Sequence, residues 1–376
     1  MGAAGDDRAP TEERTCVEDG ASDRRGGRGR SRGRCISPPT APAPFPPFCK
    51  ECLRGTTHDC SSELHQKERS NMRDRWAVIL AGGDGTRLQS MTRAITGDSR
   101  PKQFVPVIGG STLLNQTRRR VASSIDPGRT LIVVTQKHRR FYEPIAHEVS
   151  SNLLLEQPVN KGTAPAILYS LLRVAAKSPK AVVALFPSDH YFADDEEFMS
   201  HIDVALDAVE VQPDAVTLMG ITPTAPETEY GWIEPQPSIL AGAQKSITRV
   251  RKFWEKPSLI LATSLMERGC LWNSFVMVGS VQALLRLTRA AMPEMYAAFS
   301  AATPAFETAY EQKALAGVYS RLEDSNFSHQ VLAARPEDLM VMRVGDVGWS
   351  DLGEPSRVLS ALARIGVQSE LAMSAS

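Results

Sequence analysis

Nowhere in the chain does an apolar run approach the roughly 20 residues that cross a bilayer, and nothing near the amino terminus has the apolar core of a signal peptide. A membrane partner is therefore not expected, and a soluble cytoplasmic protein is. Charge of one sign is missing too. The 43 Lys and Arg balance 43 Asp and Glu, for a formal net charge of +0, so there is no global pull toward nucleic acid or membrane. Cysteine is almost absent from the part expected to fold. Of six cysteines, Cys16, Cys35, Cys49, Cys52 and Cys60 precede residue 72 and only Cys270 follows it, so the core has no disulfide framework. No internal repeat is present.

The first 72 residues also have few aliphatic side chains. They carry GGRGRSRGR (Gly26–Arg34) and PPTAPAPFPPF (Pro38–Phe48), which cannot bury enough apolar surface to offset chain entropy. Residues 1–72 are expected to be a disordered, low-complexity tail, or to precede a functional start at Met72. The arginine cluster could attract anions, nucleic acid included, but a nucleic-acid partner is not the expected one. Cys49, Cys52, His58 and Cys60 could in principle wrap a zinc ion, although the second pair fits no familiar finger spacing. Residues 73–376 suit one large α/β domain.

From Trp76 onward, short β-rich runs alternate with helical patterns, which argues for parallel strands joined by helical crossovers. Strands are expected at Trp76–Leu80, Thr130–Val134, Ala181–Phe186 and Ala215–Gly220, with helices at Ser111–Ser124, Thr163–Ala176 and Glu196–Val211. In the first helix Leu113, Leu114, Val121 and Ile125 recur at helical spacing and leave Arg118–Arg120 to solvent. Beyond Gly220 the pattern turns strand-rich, with Tyr230–Glu234 and Ile247–Trp254 ahead of a helix from Ser258 to Arg268. Val281–Ala334 is mostly helical in composition, and Leu339–Val344 reads as a strand.

The chemistry is most legible in LAGGDGTRLQSMTRAITGDSRPKQF, Leu80–Phe104. Gly82, Gly83 and Gly85 have no Cβ and let backbone N–H groups approach a bound nucleotide, while Arg87 adds a planar, permanently charged fork. The loop follows the apolar run WAVIL, so it belongs at a strand's carboxyl end, where open α/β sheets bind ligands. Pro101 disfavours helix at Arg100 and places Lys102 on an extended segment. A dinucleotide fingerprint fails because Leu88 occupies the third glycine position counted from Gly83. A phosphate loop of the NTP-hydrolysing kind fails because neither Gly82 nor Gly83 opens a G-x-x-x-x-G-K run. Taken alone, the glycines also fit a tight turn closing a core strand.

Leu80–Leu88 together with PKQF (Pro101–Phe104) resembles the signature of sugar-phosphate nucleotidyltransferases, and PKQF is similar to the mannose-1-phosphate guanylyltransferase branch. QPVNKGTAPAI from Gln157, FPSDH from Phe186, YGWIEP from Tyr230, FWEKP from Phe253, WNSF from Trp272 and GWSDLG from Gly348 follow in the family's order. The resemblance implies an α/β, Rossmann-like nucleotidyltransferase fold: a mixed, mostly parallel central sheet flanked by helices, with a strand-rich sugar-binding half. Two positions depart from the pattern. Gly162 stands where asparagine is frequent, and Phe275 where a glycine follows WNS.

The implied reaction is attack by a sugar-1-phosphate oxygen on the α-phosphorus of a nucleoside triphosphate, with pyrophosphate leaving and no covalent intermediate. GTP and mannose 1-phosphate are the implied substrates, GDP-mannose the product and Mg²⁺ the cofactor. By resemblance, Arg87 and Lys102 serve the β and γ phosphates and the leaving pyrophosphate. Asp189, after the apolar run AVVALFPS, and Asp351 serve as metal carboxylates, and His190 is structural. Glu255 accepts sugar hydroxyls, Lys256 contacts the phosphate being joined, and Pro257 starts the next helix. Gly231 and Asn273 complete the sugar pocket. Ala81, Gly82, Gly83, Gly85 and Thr86 with Gln157, Gly162 and Thr163 form the nucleotide side, where backbone carbonyls or the Gln157 oxygen read guanine. A different base or hexose phosphate, and a catalytically inert nucleotide-sugar-sensing subunit, are the alternatives, and a homo-oligomer stays open. The sequence is expected to end before any sugar-phosphate isomerase domain of the kind some family members carry.

Overall fold

A computed structural model describes residues 74–237 and 246–364 of the chain. The expected tail, its arginine cluster, Cys49, Cys52, His58, Cys60 and Met72 lie outside the described residues.

The chain opens with β1 (Arg75–Leu80), which runs through the glycine loop into α1 (Gln89–Thr96) and α2 (Leu113–Val121). β2 (Thr130–Thr135), α3 (Arg139–Ala146), β3 (Leu154–Gln157), α4 (Thr163–Lys177), β4 (Val182–Pro187) and α5 (Asp195–Val211) continue the alternation. Next come β5 (Val216–Ile221), β6 (Gly231–Pro235) and β7 (Ile247–Glu255), then α6 (Leu259–Glu267) and β8 (Leu271–Ser280). α7 (Val281–Ala291), α8 (Pro293–Ala302) and α9 (Glu311–Tyr319) lead to β9 (Leu339–Val344) and α10 (Pro355–Arg364).

The strands form one nine-stranded sheet in the order β3-β2-β1-β4-β8-β5-β9-β7-β6, with β6 also pairing with β8. β1, β2, β3 and β4 are mutually parallel, as are β5 and β9, whereas β8 runs antiparallel to both β4 and β5. β6, β7 and β9 add antiparallel pairings in the second half. An α/β fold with a mixed sheet is thus observed, and its strand-rich half lies beyond Gly220 as expected.

β1 explains the layering. Its residues alternate between two cores: Trp76 and Val78 pack with α4, α7, α8 and α9, while Ala77 and Ile79 pack with α2, α3 and α5. A strand buried on both faces reads as a continuous apolar run, and each fully buried Val or Ile contributes about 1.5–3 kcal/mol. A third cluster joins Leu88 and Met91 to Val358, Ala361 and Leu362, which docks α10 beside the glycine loop. Side-chain caps fix several helix starts. Thr112, Asp194, Ser258 and Ser280 accept from backbone N–H groups three residues on, and Asp195, Glu196 and Glu197 complement the positive end of α5.

Several expectations are corrected. Lys102 does not lie on an extended segment but begins a single 3₁₀ turn, Lys102–Phe104, after extended Pro101. Pro257 does not start α6, because Ser258 is the cap and Pro257 stands outside it. Arg120 is not solvated. It shares a helix face with Leu113 and Thr117, is 4% exposed, pairs with Asp195 and lies 4.6 Å from the Phe192 ring centroid. Among the described residues no helix is long and apolar enough to cross a membrane.

Candidate active site

The sheet topology sends the glycine loop, the β4–α5 turn, the segment before α4 and the starts of β6 and β8 to one cavity of about 390 Å³. Gly82 and Gly83 line one wall. At Gly82 a Cβ would have to displace the Gln157 amide, whose Nε2 lies 2.6 Å away, whereas Gly85 holds φ +59 against the Lys102 backbone and needs glycine. Gly83 faces open space, so a ligand can approach the backbone closely there. Gln103 holds the loop from below by donating to the Ala81 and Gly83 carbonyls at 3.0 and 2.7 Å. Asp84 anchors the loop tip by accepting from Lys137 at 2.9 Å and Asn160 at 3.1 Å, with His138 Nε2 also 3.1 Å away. Burial opposes ionisation of Asp84, but Lys137 and Asn160 outweigh it and hold the carboxyl below its ordinary range.

Arg87 lines the cavity and Lys256 does not, yet one carboxylate touches both. Glu229 lies 3.5 Å from Arg87 Nη1 and 3.1 Å from Lys256 Nζ. The hydrogen bond from Lys256, reinforced by its charge, pulls the Glu229 carboxyl down. Lys256 itself sits at φ +46, immediately after β7.

Asp189 and Asp351 both line the cavity. Lys102 reaches them from beneath: it is 8% exposed, its Nζ lies 3.3 Å from Asp189 Oδ2, and it donates to the Asp351 carbonyl and, at 3.3 Å, to that of Leu352. The lysine thus joins the Asp189 carboxylate to the backbone at Asp351 and Leu352 and is absent from the cavity lining beside Arg87. Burial opposes charge on Asp351, but His190, Lys102 and Arg357 together hold its carboxyl down. His190 Nδ1 accepts from Trp349 Nε1 at 3.3 Å, and burial lowers its pKa.

Across the cavity stand Gly231, Glu255 and Asn273. Gly231 pairs with Glu255 across β6 and β7, and a Cβ there would meet Phe253 at 2.9 Å and Glu255 Oε2 at 3.1 Å. Burial pushes the Glu255 carboxyl up. Asn273 Oδ1 accepts from the Phe275 N–H at 3.1 Å, while Nδ2 points toward Ser328 Oγ at 3.5 Å. Phe275 lines the same wall at φ +61.

The proposed base loop is tied to a later segment. Gly162 has φ +86, and a Cβ would stand 2.3 Å from the Ser325 carbonyl. Thr163 Oγ1 accepts from the Phe327 N–H at 2.9 Å. Gln157 lines the cavity although it is 1% exposed, and its Oε1 accepts the Tyr319 hydroxyl at 2.8 Å. Ala81, Gly85 and Thr86 shape the loop without lining the cavity.

A nucleotidyl transferase domain model matches residues 76–366. The chain belongs to the nucleotidyl transferase family. It is similar to the xanthan biosynthesis protein XanB of Xanthomonas campestris pv. campestris (strain B100), 30% identical over 305 residues that cover 78% of this chain and 61% of that protein. A mannose-1-phosphate guanylyltransferase of Escherichia coli is 28% identical over 289 residues, 73% of this chain and 59% of that one. The chain therefore spans about three fifths of the length of these relatives. Among solved structures, a mannose-1-phosphate geranyltransferase from Thermus thermophilus matches with TM-score 0.65 and 30% identity, over 79% of this chain and 80% of that one. The family resemblance read from the ordered motifs is borne out.

The motifs led to many of the residues that line the nucleotidyl transferase cavity and, in Lys102, to one that holds them, but not to the others. Gln103 lay in plain view within PKQF, Asn160 within PVNKGT and Glu229 beside YGWIEP. Nothing local signalled Arg357, whose guanidinium reaches Asp351 from α10.

Proposed function

We propose that the chain transfers a guanylyl group from GTP to mannose 1-phosphate, giving GDP-mannose and diphosphate by in-line attack without a covalent intermediate. The observation that carries the reading is the convergence of Arg87, the carboxylates Asp189 and Asp351, and the wall of Gly231, Glu255 and Asn273 on one cavity, with Lys256 and Lys102 at its edge on Glu229 and Asp189. The relatives named mannose-1-phosphate guanylyltransferase suggest the base and the hexose.

The nucleophile is already an anion, so the protein's task is to align two polyanions and offset charge on the leaving group. Arg87 and the Gly82–Gly83 backbone grip the triphosphate. Lys256 meets the sugar phosphate, with Glu255 and Asn273 on its hydroxyls. Glu229 holds Arg87 and Lys256 in place and yields them to the two phosphates. Removing Arg87 or Lys102 is expected to cost on the order of a hundredfold in turnover.

Asp189 and Asp351 fit Mg²⁺ by donor chemistry. Among the described residues no group of three or more His, Cys, Asp and Glu is arranged to hold a metal, and Mg²⁺ takes one or two carboxylates plus substrate phosphates. Bound there, Mg²⁺ supplies charge neutralisation at the phosphate oxygens. Lys102 ties the Asp189 carboxylate to the backbone of Asp351 and Leu352 beforehand.

The test is diphosphate release by purified protein with Mg²⁺ across a grid of nucleoside triphosphates and hexose 1-phosphates. Release from GTP only when mannose 1-phosphate is present is expected. Activity on another pair alone refutes the substrates, and silence on every pair refutes transfer.

A further inference from the structure

Arg357 stands near the start of α10, outside every motif, and grips the second proposed metal carboxylate. Its Nη1 donates to Asp351 Oδ1 at 2.9 Å and its Nη2 to Glu227 Oε2 at 2.8 Å. The guanidinium carbon lies 4.3 Å from the centroid of the Tyr230 ring, and the Tyr230 hydroxyl donates to the same Asp351 Oδ1 at 3.2 Å. The Gly353 N–H adds a third bond to Oδ1 at 2.9 Å. Arg357 and Asp351 are only 12% and 15% exposed in their side chains, so a planar fork stacked on an aromatic face holds the carboxylate in one orientation.

We infer that Arg357 is a positioning residue for the metal carboxylate: by loading Oδ1 it leaves Oδ2 of Asp351 for the cation. The inference rests on the reading of Asp189 and Asp351 as a cation pair. An arginine could instead weaken the site by neutralising Asp351, and the second contact decides between the two effects. Glu227 balances the guanidinium, so the Arg357–Glu227 pair orients Asp351 while carrying no net charge of its own. A purely structural role is a poor account of the same geometry, because α10 is already docked by Val358, Ala361 and Leu362 in the third core cluster.

The test is Mn²⁺ alone titrated into the full chain, with free Mn²⁺ followed by electron paramagnetic resonance, for wild type, Asp351→Asn, Arg357→Gln and Arg357→Lys. Thermal melts confirm that each variant is folded. Asp351→Asn should lose the ion, and Arg357→Gln should weaken it by about 10- to 100-fold, the usual effect of removing a hydrogen-bond partner of a metal ligand. Arg357→Lys should recover part of the loss, because it keeps the charge but not the fork. Wild-type affinity in folded Arg357→Gln, with Asp351→Asn defective, overturns the inference and leaves the carboxylate pair standing. Wild-type affinity in Asp351→Asn removes the pair reading and the inference with it. Should Arg357→Gln fail to fold, Arg357→Lys decides: a several-fold loss supports the inference and wild-type affinity overturns it.

Discussion

Phe275 is held in a backbone conformation that glycine adopts freely and other residues do not. It lies mid-strand in β8, at φ +61, where the β5–β8 register shifts between Leu218 and Gly220. Side chains replace the ladder bonds that the irregularity disrupts. Asn273 Oδ1 accepts from the Phe275 N–H, Ser274 Oγ accepts from the Val276 N–H at 3.2 Å and donates to the Met219 carbonyl at 2.6 Å. A left-handed non-glycine residue costs about 1–2 kcal/mol, so the strain and the ring can be separated. Phe275→Ala removes the ring and keeps the strain, while Phe275→Gly removes both. Urea unfolding should find the glycine variant more stable than the alanine variant by about 1 kcal/mol; an alanine variant of equal or greater stability would show that the backbone is not strained there. Sequence alone marks this position only as a departure from the family pattern, because φ is fixed by the register of β5 against β8, which no local pattern reveals.

At the level of elements, the parallel half was legible because each of β1, β2, β4 and β5 is a short apolar run with crossover helices between. β8 was not. Its WNSF start reads as a pocket motif, and the irregularity around Phe275 breaks the alternation that would reveal a strand. β3 is an edge strand of four residues, too short to stand out by periodicity, and Arg120 reads as solvated because its partners Asp195 and Phe192 come from beyond β4. The junction before α4 depends on a similarly distant partner. Gly162 lies against the Ser325 carbonyl, the Ser325 N–H donates to the Lys161 carbonyl at 2.9 Å, and the Ala164 N–H donates to the Ser325 carbonyl at 3.1 Å. Gly162→Ala must push residues 323–328 away or abandon φ +86, at a cost of about 1–3 kcal/mol. A lower melting temperature together with a raised KM for the nucleotide is expected, because Thr163 and Asn326 both face the cavity. A variant with both values unchanged would mean that the segment yields without cost.

For the whole molecule, the motifs showed which loops carry chemistry, and the sheet order shows why they meet. β8, inserted antiparallel between β4 and β5, brings Asn273 to the cavity that Asp189 shares. Carboxylates at the cavity and beyond it carry ionisation that favours the folded state. Burial opposes charge on Asp84 and Asp351, but their cationic and amide partners prevail, and both stay below the ordinary range. The hydrogen bond from Lys177 leads those that pull Glu307 down, and Arg100 pulls Asp98 to about 2. For each of these the folded state binds its proton more weakly than the unfolded chain does. Their contribution is therefore complete above the ordinary carboxylate pKa of about 4 and is lost as pH falls through the lowered folded values. Glu255 acts in the opposite sense. Burial raises its pKa, so its charge destabilises the fold at neutral pH and its protonation restores stability on the acid side. With Glu229, also held down, five groups outnumber one, so urea midpoints measured from pH 7 to pH 3 should hold steady near neutrality and fall below about pH 4. Asp351→Asn should be less stable at pH 7 and show a shallower acid limb, because the group that titrates is gone while Arg357 loses its charged partner. A midpoint that stays constant or rises down to pH 3 would mean that these ion pairs do not hold the folded carboxyls below their unfolded values.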